Sequence, residues 1–439
     1  MIATPPDIRS PLDSAFRLTR RRLVPFLLLM YVLAFLDRAN IGFAKQAFQA
    51  SAGISDAAYA LGAGLFFLTY ALFEVPSNLI MHRVGARLWM ARIMVTWGLI
   101  SAAMMFTSGE LSFYALRLLL GAAEAGFFPG VILYLTYWFP QRTRGQIMGL
   151  FYFGAPIAFI FGSPLSGLLL ELDGMGGLHG WQWMFMVEGL LASVVGVWAY
   201  FYLDDKPADA RWLPAAEKQA LSAAIAQEEK LKTAHGHSGV AALLAKPRML
   251  HFLAIYFLIQ MSVYGVIFYL PSQVAALLGK KVGLEVGLVT AIPWICALIA
   301  AYLLPRLADR EGNHRTLGAM TLAVSGLGIA ISAGSAPLTA LAALCFAAAG
   351  FIAVQPLFWT FPTGYLGGVA AAGGIALINA LGALGGFVAP NVKAWADLSF
   401  GSPQAGLYVL ACTTLLGAAL ILGLSRSTPV AAAPVTSKS

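Results

Sequence analysis

Charged residues are scarce in this chain: of its 439 residues, 11% are Asp, Glu, Lys or Arg, while 59% are hydrophobic. A soluble domain carries about 25% charged residues, so there is too little polar surface here to cover a water-soluble globule. Cysteine is rarer still. Cys296, Cys345 and Cys412 lie in separate apolar runs, without CxxC spacing or a Cys/His cluster. That predicts no structural disulfide and offers no ligand set for a metal. Catalytic strings are missing too: there is no HExxH, GxSxG or P-loop sequence, and no His, Asp and Ser stand at usable spacing. Neither an enzyme nor a cofactor is expected. The pI near 9.4 comes from basic residues scattered between apolar runs and not from one basic face, which argues against a nucleic-acid partner.

Long apolar runs are what the chain has instead, with a mean hydropathy of +0.77. A helix crossing a bilayer needs roughly 20 mainly apolar residues. That ruler places spans near 23–43, 57–80, 92–108, 111–137, 145–170 and 182–203, and then near 249–273, 284–305, 316–333, 336–359, 371–391 and 404–424. The expected architecture is an all-α membrane protein of twelve transmembrane helices in two six-helix bundles. Residues 1–203 form the first bundle, 204–248 a linker, and 249–439 the second bundle with a short tail. Arg20-Arg21-Arg22 runs straight into Leu23 without a small-residue cleavage site, which predicts a retained first span and not a signal peptide. In the linker, Leu213, Ala220, Leu221 and Ile225 recur near helical spacing behind Pro214, so an amphipathic surface helix is expected from Trp212 to Lys232.

Charge predicts the orientation. With twelve spans, both termini and the linker share one side of the bilayer. Of the 28 Lys and Arg, 22 fall on that side and four (Lys45, Lys280, Lys281 and Lys393) on the other; Arg38 and Arg117 lie inside spans. By the positive-inside rule the termini are cytoplasmic and the protein sits in a cell membrane. An internal repeat supports the division into halves. His82-Arg83-Val84-Gly85-Ala86-Arg87 follows span 2, and Asp309-Arg310-Glu311-Gly312-Asn313-His314-Arg315 follows span 8, at the same point of each half. Parallel repeats of six spans are how major facilitator transporters are built.

The few charges inside spans are informative, because each costs about 2.5–3.5 kcal/mol to place at the membrane centre on insertion scales. They are Asp37 and Arg38 in span 1, Glu74 in span 2, Arg117 and Glu124 in span 4, and Glu188 in span 6. Arg117, Gly121 and Glu124 share one stripe of span 4, with Arg117 and Glu124 two turns apart, about 10 Å along the axis. That gap is too long for a direct pair and leaves room for a ligand, a water, or Asp37-Arg38. A static ion-pair network is the competing explanation, but a buried pair adds little stability over apolar packing. Asp37, Arg38, Arg117 and Glu124 are therefore functional candidates. Glu74, just before Val75-Pro76 and four residues from Asn78, is equally well explained by local backbone needs, and Glu188 is expected near the membrane surface beside Trp181 and Trp183. In the second half Gln260, Trp359 and Asn379 supply polar and aromatic groups; the amides would serve equally to bond a ligand or a neighbouring helix.

Several strings together resemble one family. Tyr31-Val-Leu-Ala-Phe-Leu-Asp37-Arg38-Ala-Asn40-Ile-Gly42-Phe43 resembles the first helix of the anion:cation symporters of the major facilitator superfamily. Tyr70-Ala-Leu-Phe-Glu74-Val-Pro76-Ser-Asn78, Arg117-Leu-Leu-Leu-Gly121-Ala-Ala-Glu124-Ala-Gly126-Phe-Phe-Pro129-Gly130, Gly180-Trp-Gln-Trp183 and the stretch from Gly374 through Asn379 to Gly386 are similar to it as well. The resemblance covers nearly the whole chain. Bacterial members of this kind are permeases for 4-hydroxyphenylacetate, phthalate, tartrate and sugar acids. The resemblance implies Asp37 and Glu124 as proton sites, Arg38 and Arg117 as ligands of a substrate carboxylate, and Tyr70, Gln260, Trp359 and Asn379 as substrate-lining positions. His82 departs from the general facilitator loop motif, which has Asp there; that touches a charge relay at the membrane surface and not the substrate site. The expectation is proton symport of a small organic carboxylate, by a monomer embedded in lipid. An antiporter or exporter of an organic acid on the same fold is the alternative.

Overall fold

The computed structural model describes residues 10–140, 147–233, 246–366 and 368–424, with the side chains of 229–233 and 368–372 left aside. Among the described residues, twelve helices are long and apolar enough to cross a membrane. Spans 1 to 6 are Pro11–Ala52, Asp56–Val84, Ala86–Phe106, Glu110–Trp138, Ile147–Leu170 and Gly180–Tyr202. Spans 7 to 12 are Pro247–Ile267, Leu284–Glu311, His314–Ser332, Pro337–Tyr365, Gly373–Phe400 and Ala405–Leu422. The side on which span 1 begins and span 12 ends is the terminal face, and the other the opposite face.

Local signals start and stop these helices. Ser10 caps span 1 by accepting from the Asp13 amide at 3.2 Å, and Ser55 caps span 2 through the Ala58 amide at 3.1 Å. The repeated turns after spans 2 and 8 place Gly85 at φ 95° and Gly312 at φ 63°, a region glycine enters without a Cβ penalty. Span 1 starts at Pro11, well before the expected Leu23, and its extra turns carry the basic residues. Against them packs the linker helix, Ala215–Thr233. Leu213 and Leu221 are buried there, and Trp212 stacks on Trp138 at 5.7 Å beneath Arg22. The rest of the linker, residues 234–245, falls outside the described ranges. Lys45 and Lys393, expected in loops, lie instead within spans 1 and 11, paired with Asp56 and Asp397 at 2.6 Å each.

Helix pairing repeats with a shift of six. In the first half span 3 packs on 6, 2 on 4, and 1 on 5; in the second, 9 packs on 12, 8 on 10, and 7 on 11. Between the halves, span 2 meets 11 and span 5 meets 8, again related by that shift. Small residues permit these approaches, since lipid offers no hydrophobic drive between helices. A Cβ on Gly98 would lie 2.4 Å from the Gly189 carbonyl, and one on Gly350 would lie 2.4 Å from that of Thr321. Large apolar side chains such as Leu72, Phe161, Phe201 and Leu338 remain exposed on the outside, facing lipid where a soluble protein would face water.

Candidate functional site

Span 1 carries its two charges in different directions. Asp37 turns into the first half: it accepts from Trp97 Nε1 at 3.0 Å, from Asn40 Nδ2 at 3.1 Å, and from the Ser101 hydroxyl. Arg38 turns toward the junction of the halves. Its Nε donates to Glu124 Oε1 at 2.8 Å, and Nη2 reaches the same oxygen. Its Nη1 donates to the Tyr264 hydroxyl of span 7 at 3.1 Å. The guanidinium also lies over the Tyr70 ring at 4.9 Å and over Phe35 and Phe66 at 5.4 Å, positions that suit a cation and a π face. Glu124 is thus met by an arginine of span 1.

Glu124 is fully buried and sits at a break. Span 4 is helical from Glu110 to Glu124 and again from Phe127 to Trp138, with Gly126 between at φ 85°. One carboxylate oxygen of Glu124 holds Arg38; the other, Oε2, is buried with no partner. Such an orphan is uncommon in a folded interior.

Arg117 is used differently. Its Nε donates to the Gly62 carbonyl at 3.1 Å and its Nη2 to the Ala63 carbonyl at 3.2 Å, with the Phe66 ring 5.0 Å away. Here it braces span 4 on span 2. Gly121, one turn on, makes that approach possible, because a Cβ there would lie 2.1 Å from the Phe66 carbonyl.

A small cavity of about 30 Å³, room for a single water, lies between the halves on the span-1, span-5, span-7 and span-10 walls. Its polar lining comes from Tyr31, Tyr152, Gln260, Tyr264 and Gln355, and its apolar lining includes Phe35 and Phe159. Gln260 Oε1 is buried there without a partner. Tyr70 and Trp359 stand outside this lining, Tyr70 against Arg38 and Trp359 against the Tyr256 ring at 4.9 Å. Asn379 spends its amide on Glu74, Nδ2 to Oε1 at 2.9 Å, and its carbonyl oxygen faces the Tyr256 hydroxyl at 3.5 Å. Glu188 is not near the surface as expected: it is buried between spans 5 and 6, accepting from Ser166 Oγ at 2.7 Å.

Tyr264, Tyr152 and Gln355 line the cavity without standing out in the sequence as site residues. Tyr264 had a readable signal, since it follows Gln260 by one helical turn and so shares its face. Tyr152 and Gln355 had none, because nothing in their spacing separates a cavity wall from ordinary helix contact.

Twelve spans, a six-span repeat and a buried Arg38–Glu124 pair where the halves meet define a membrane transporter. The chain matches the Major Facilitator Superfamily profile over residues 27–390 and belongs to that family. It is 50% identical to the inner membrane transport protein RhmT of Escherichia coli K12, over 96% of this chain and 97% of that protein. It is 44% identical to a putative tartrate transporter of Agrobacterium vitis, over 93% and 91% of the two chains. Among solved structures, the partially occluded inward-open xylose transporter XylE of E. coli superposes with a TM-score of 0.74 over 93% of this chain and 98% of that one. At 15% identity that likeness concerns the fold.

Proposed function

We propose that the protein imports a small organic anion, an aromatic or sugar-acid carboxylate, together with protons, by alternating access across a bacterial inner membrane. The carrying observation is the Arg38–Glu124 pair at the junction of the halves, with Tyr264 reaching Arg38 from the second half. Arg38 touches the cavity lining through Tyr264, and its fork geometry suits a carboxylate. While Glu124 is ionised it occupies that fork. A proton on Glu124 would release Arg38 to the substrate, so proton and anion would load together.

A substrate anion and Glu124 would compete for the same guanidinium. Asp37, surrounded by neutral donors, is the second proton site of this proposal. Inward movement of an anion against an inside-negative potential costs about 2.3 kcal/mol per charge per 100 mV, which each accompanying proton offsets. Arg117 would join the clamp by exchanging its two backbone carbonyls for substrate oxygens. Each carbonyl sits in a helix and keeps its intrahelical partner when Arg117 leaves. Tyr70, Gln260, Trp359 and Asn379 complete the lining once the cavity widens.

In this reading residues 1–203 and 249–439 are the moving bundles of a monomer, 204–248 the connection, and the terminal face cytoplasmic. Relatives named for transport of tartrate support an acid as cargo.

The test uses proteoliposomes. Glu124→Gln keeps size and hydrogen bonding but removes titration. It is expected to retain counterflow of labelled substrate while losing accumulation driven by a proton gradient, and Asp37→Asn to show the same split. If both variants still concentrate substrate under an imposed proton gradient, the coupling assignment is wrong. An exporter or antiporter would show proton-driven movement of the opposite sign in the same vesicles.

A further inference from the structure

Glu74 has no part in the transport cycle proposed above, yet it is a buried carboxylate, 2% exposed, bonded across the junction of the halves. The seam between spans 2 and 11 shows its setting. Toward the opposite face, Gly64 lies against Phe387 and Asn391, and Gly386 against the Phe67 ring; a Cβ on either glycine would come within 2.8 Å of its neighbour. Those contacts are close and glycine-lined. Farther toward the terminal face the seam changes character. Glu74 Oε1 accepts from Asn379 Nδ2 at 2.9 Å, and Glu74 Oε2 is buried without a partner. Just beyond, Val75 and Leu79 are exposed. The companion seam, between spans 5 and 8, ends toward the same face on an aromatic contact, Phe153 with Tyr302 at 6.4 Å.

A polar pair differs from apolar packing in what happens when water arrives. In a dry seam, parting Glu74 from Asn379 would leave a carboxylate oxygen and an amide hydrogen unmet, a full desolvation penalty. When the seam opens to the terminal face, water replaces both partners and also reaches the orphaned Oε2. The pair therefore favours a fully shut or a fully open seam and disfavours a half-open one. Tyr256, facing the Asn379 carbonyl, holds the amide pointing across the seam.

We propose that Glu74 and Asn379 form the latch that closes the cavity toward the terminal face, with Glu74 as a positioning residue that sets how readily the carrier opens there. The inference rests on the alternating access proposed above.

The experiment reads accessibility. Gln355→Cys, on the cavity wall, is introduced into a protein whose Cys296, Cys345 and Cys412 are serine. Labelling by a membrane-impermeant maleimide is timed from each face, in right-side-out and inverted vesicles. Glu74→Ala and Asn379→Ala are each expected to raise labelling from the terminal face roughly tenfold and to lower it from the opposite face, as loss of one buried hydrogen bond would. Glu74→Gln, which keeps a carbonyl to accept the Asn379 amide, is expected to stay within about twofold of the parent. Unchanged terminal-face labelling in both alanine variants overturns the latch, and so does an equal rise from both faces, which is the mark of a loosened bundle. If the parent is labelled from one face alone under every substrate and proton condition, alternating access itself fails, and the latch with it.

Discussion

Asp37 and Arg38 are neighbours in the chain yet serve different parts of the protein, because consecutive helical residues are turned by about 100°. Asp37 is held inside the first half by Trp97, Asn40 and Ser101, while Arg38 reaches Glu124 and Tyr264 at the junction. The two arginines also part ways: Arg38 holds a carboxylate, and Arg117 holds two carbonyls. The clamp proposal makes both necessary for binding. Arg38→Ala and Arg117→Ala are expected to purify as folded, monodisperse protein and to lose the thermal shift that a carboxylate substrate produces. Arg117→Ala should in addition unfold earlier without substrate, by on the order of 3 kcal/mol for two charged hydrogen bonds. A variant that keeps the substrate-induced shift removes its arginine from the clamp. That charges stand in spans 1 and 4 was legible from the residues; that one of the arginines is turned onto backbone was not, since a side chain's partner is absent from its own periodicity.

At the scale of the helices, glycine decides how closely the spans approach. Sequence alone leaves a membrane glycine open to two readings, packing or ligand contact. The structure separates them at Gly121, against the Phe66 carbonyl, and along the seam of spans 5 and 8. There a Cβ on Gly287 would lie 2.3 Å from the Ser163 carbonyl, and one on Gly167 would lie 2.4 Å from that of Gly283. Both contacts lie toward the opposite face, so closure of the halves there requires bare backbone. Gly287→Val is expected to fold, because the clash is relieved when the halves part, but to favour the conformation open to the opposite face. A cysteine at position 355 should then be labelled from that face on the order of tenfold faster, the factor that a bias of about 1.4 kcal/mol produces. Labelling at the parent rate would mean that the seam tolerates the side chain without opening.

The whole molecule is organised by the six-span repeat, visible both in the Gly85 and Gly312 turns and in the pairing of spans 3 and 6 with 9 and 12. Orientation belongs to this scale too. The linker helix Ala215–Thr233 lies on the terminal face, and the turn before span 8 lies on the other. With 22 of 28 basic residues on the terminal side, a tag at Lys218 is expected to be reached only from the cytoplasm and one at Lys280 only from outside. Labelling of Lys218 on intact cells would reverse the orientation and the direction assigned to transport.

The number of spans, and the presence of Asp37, Arg38, Glu74, Arg117 and Glu124 within them, were legible in the sequence, because each is a matter of neighbouring residues. Hydrophobicity over twenty positions says that a helix crosses, whatever it packs against. Which charges meet is another kind of quantity. Arg38 finds Glu124 from 86 residues away and Tyr264 from 226. Glu74 finds Asn379 from 305 residues away. Those meetings depend on how far each helix is rotated and how near it comes to its neighbours. Both are decided by glycine-lined contacts between distant spans, so only the tertiary structure could show that Arg38 and not Arg117 pairs with Glu124, and that Glu74 ties one half to the other.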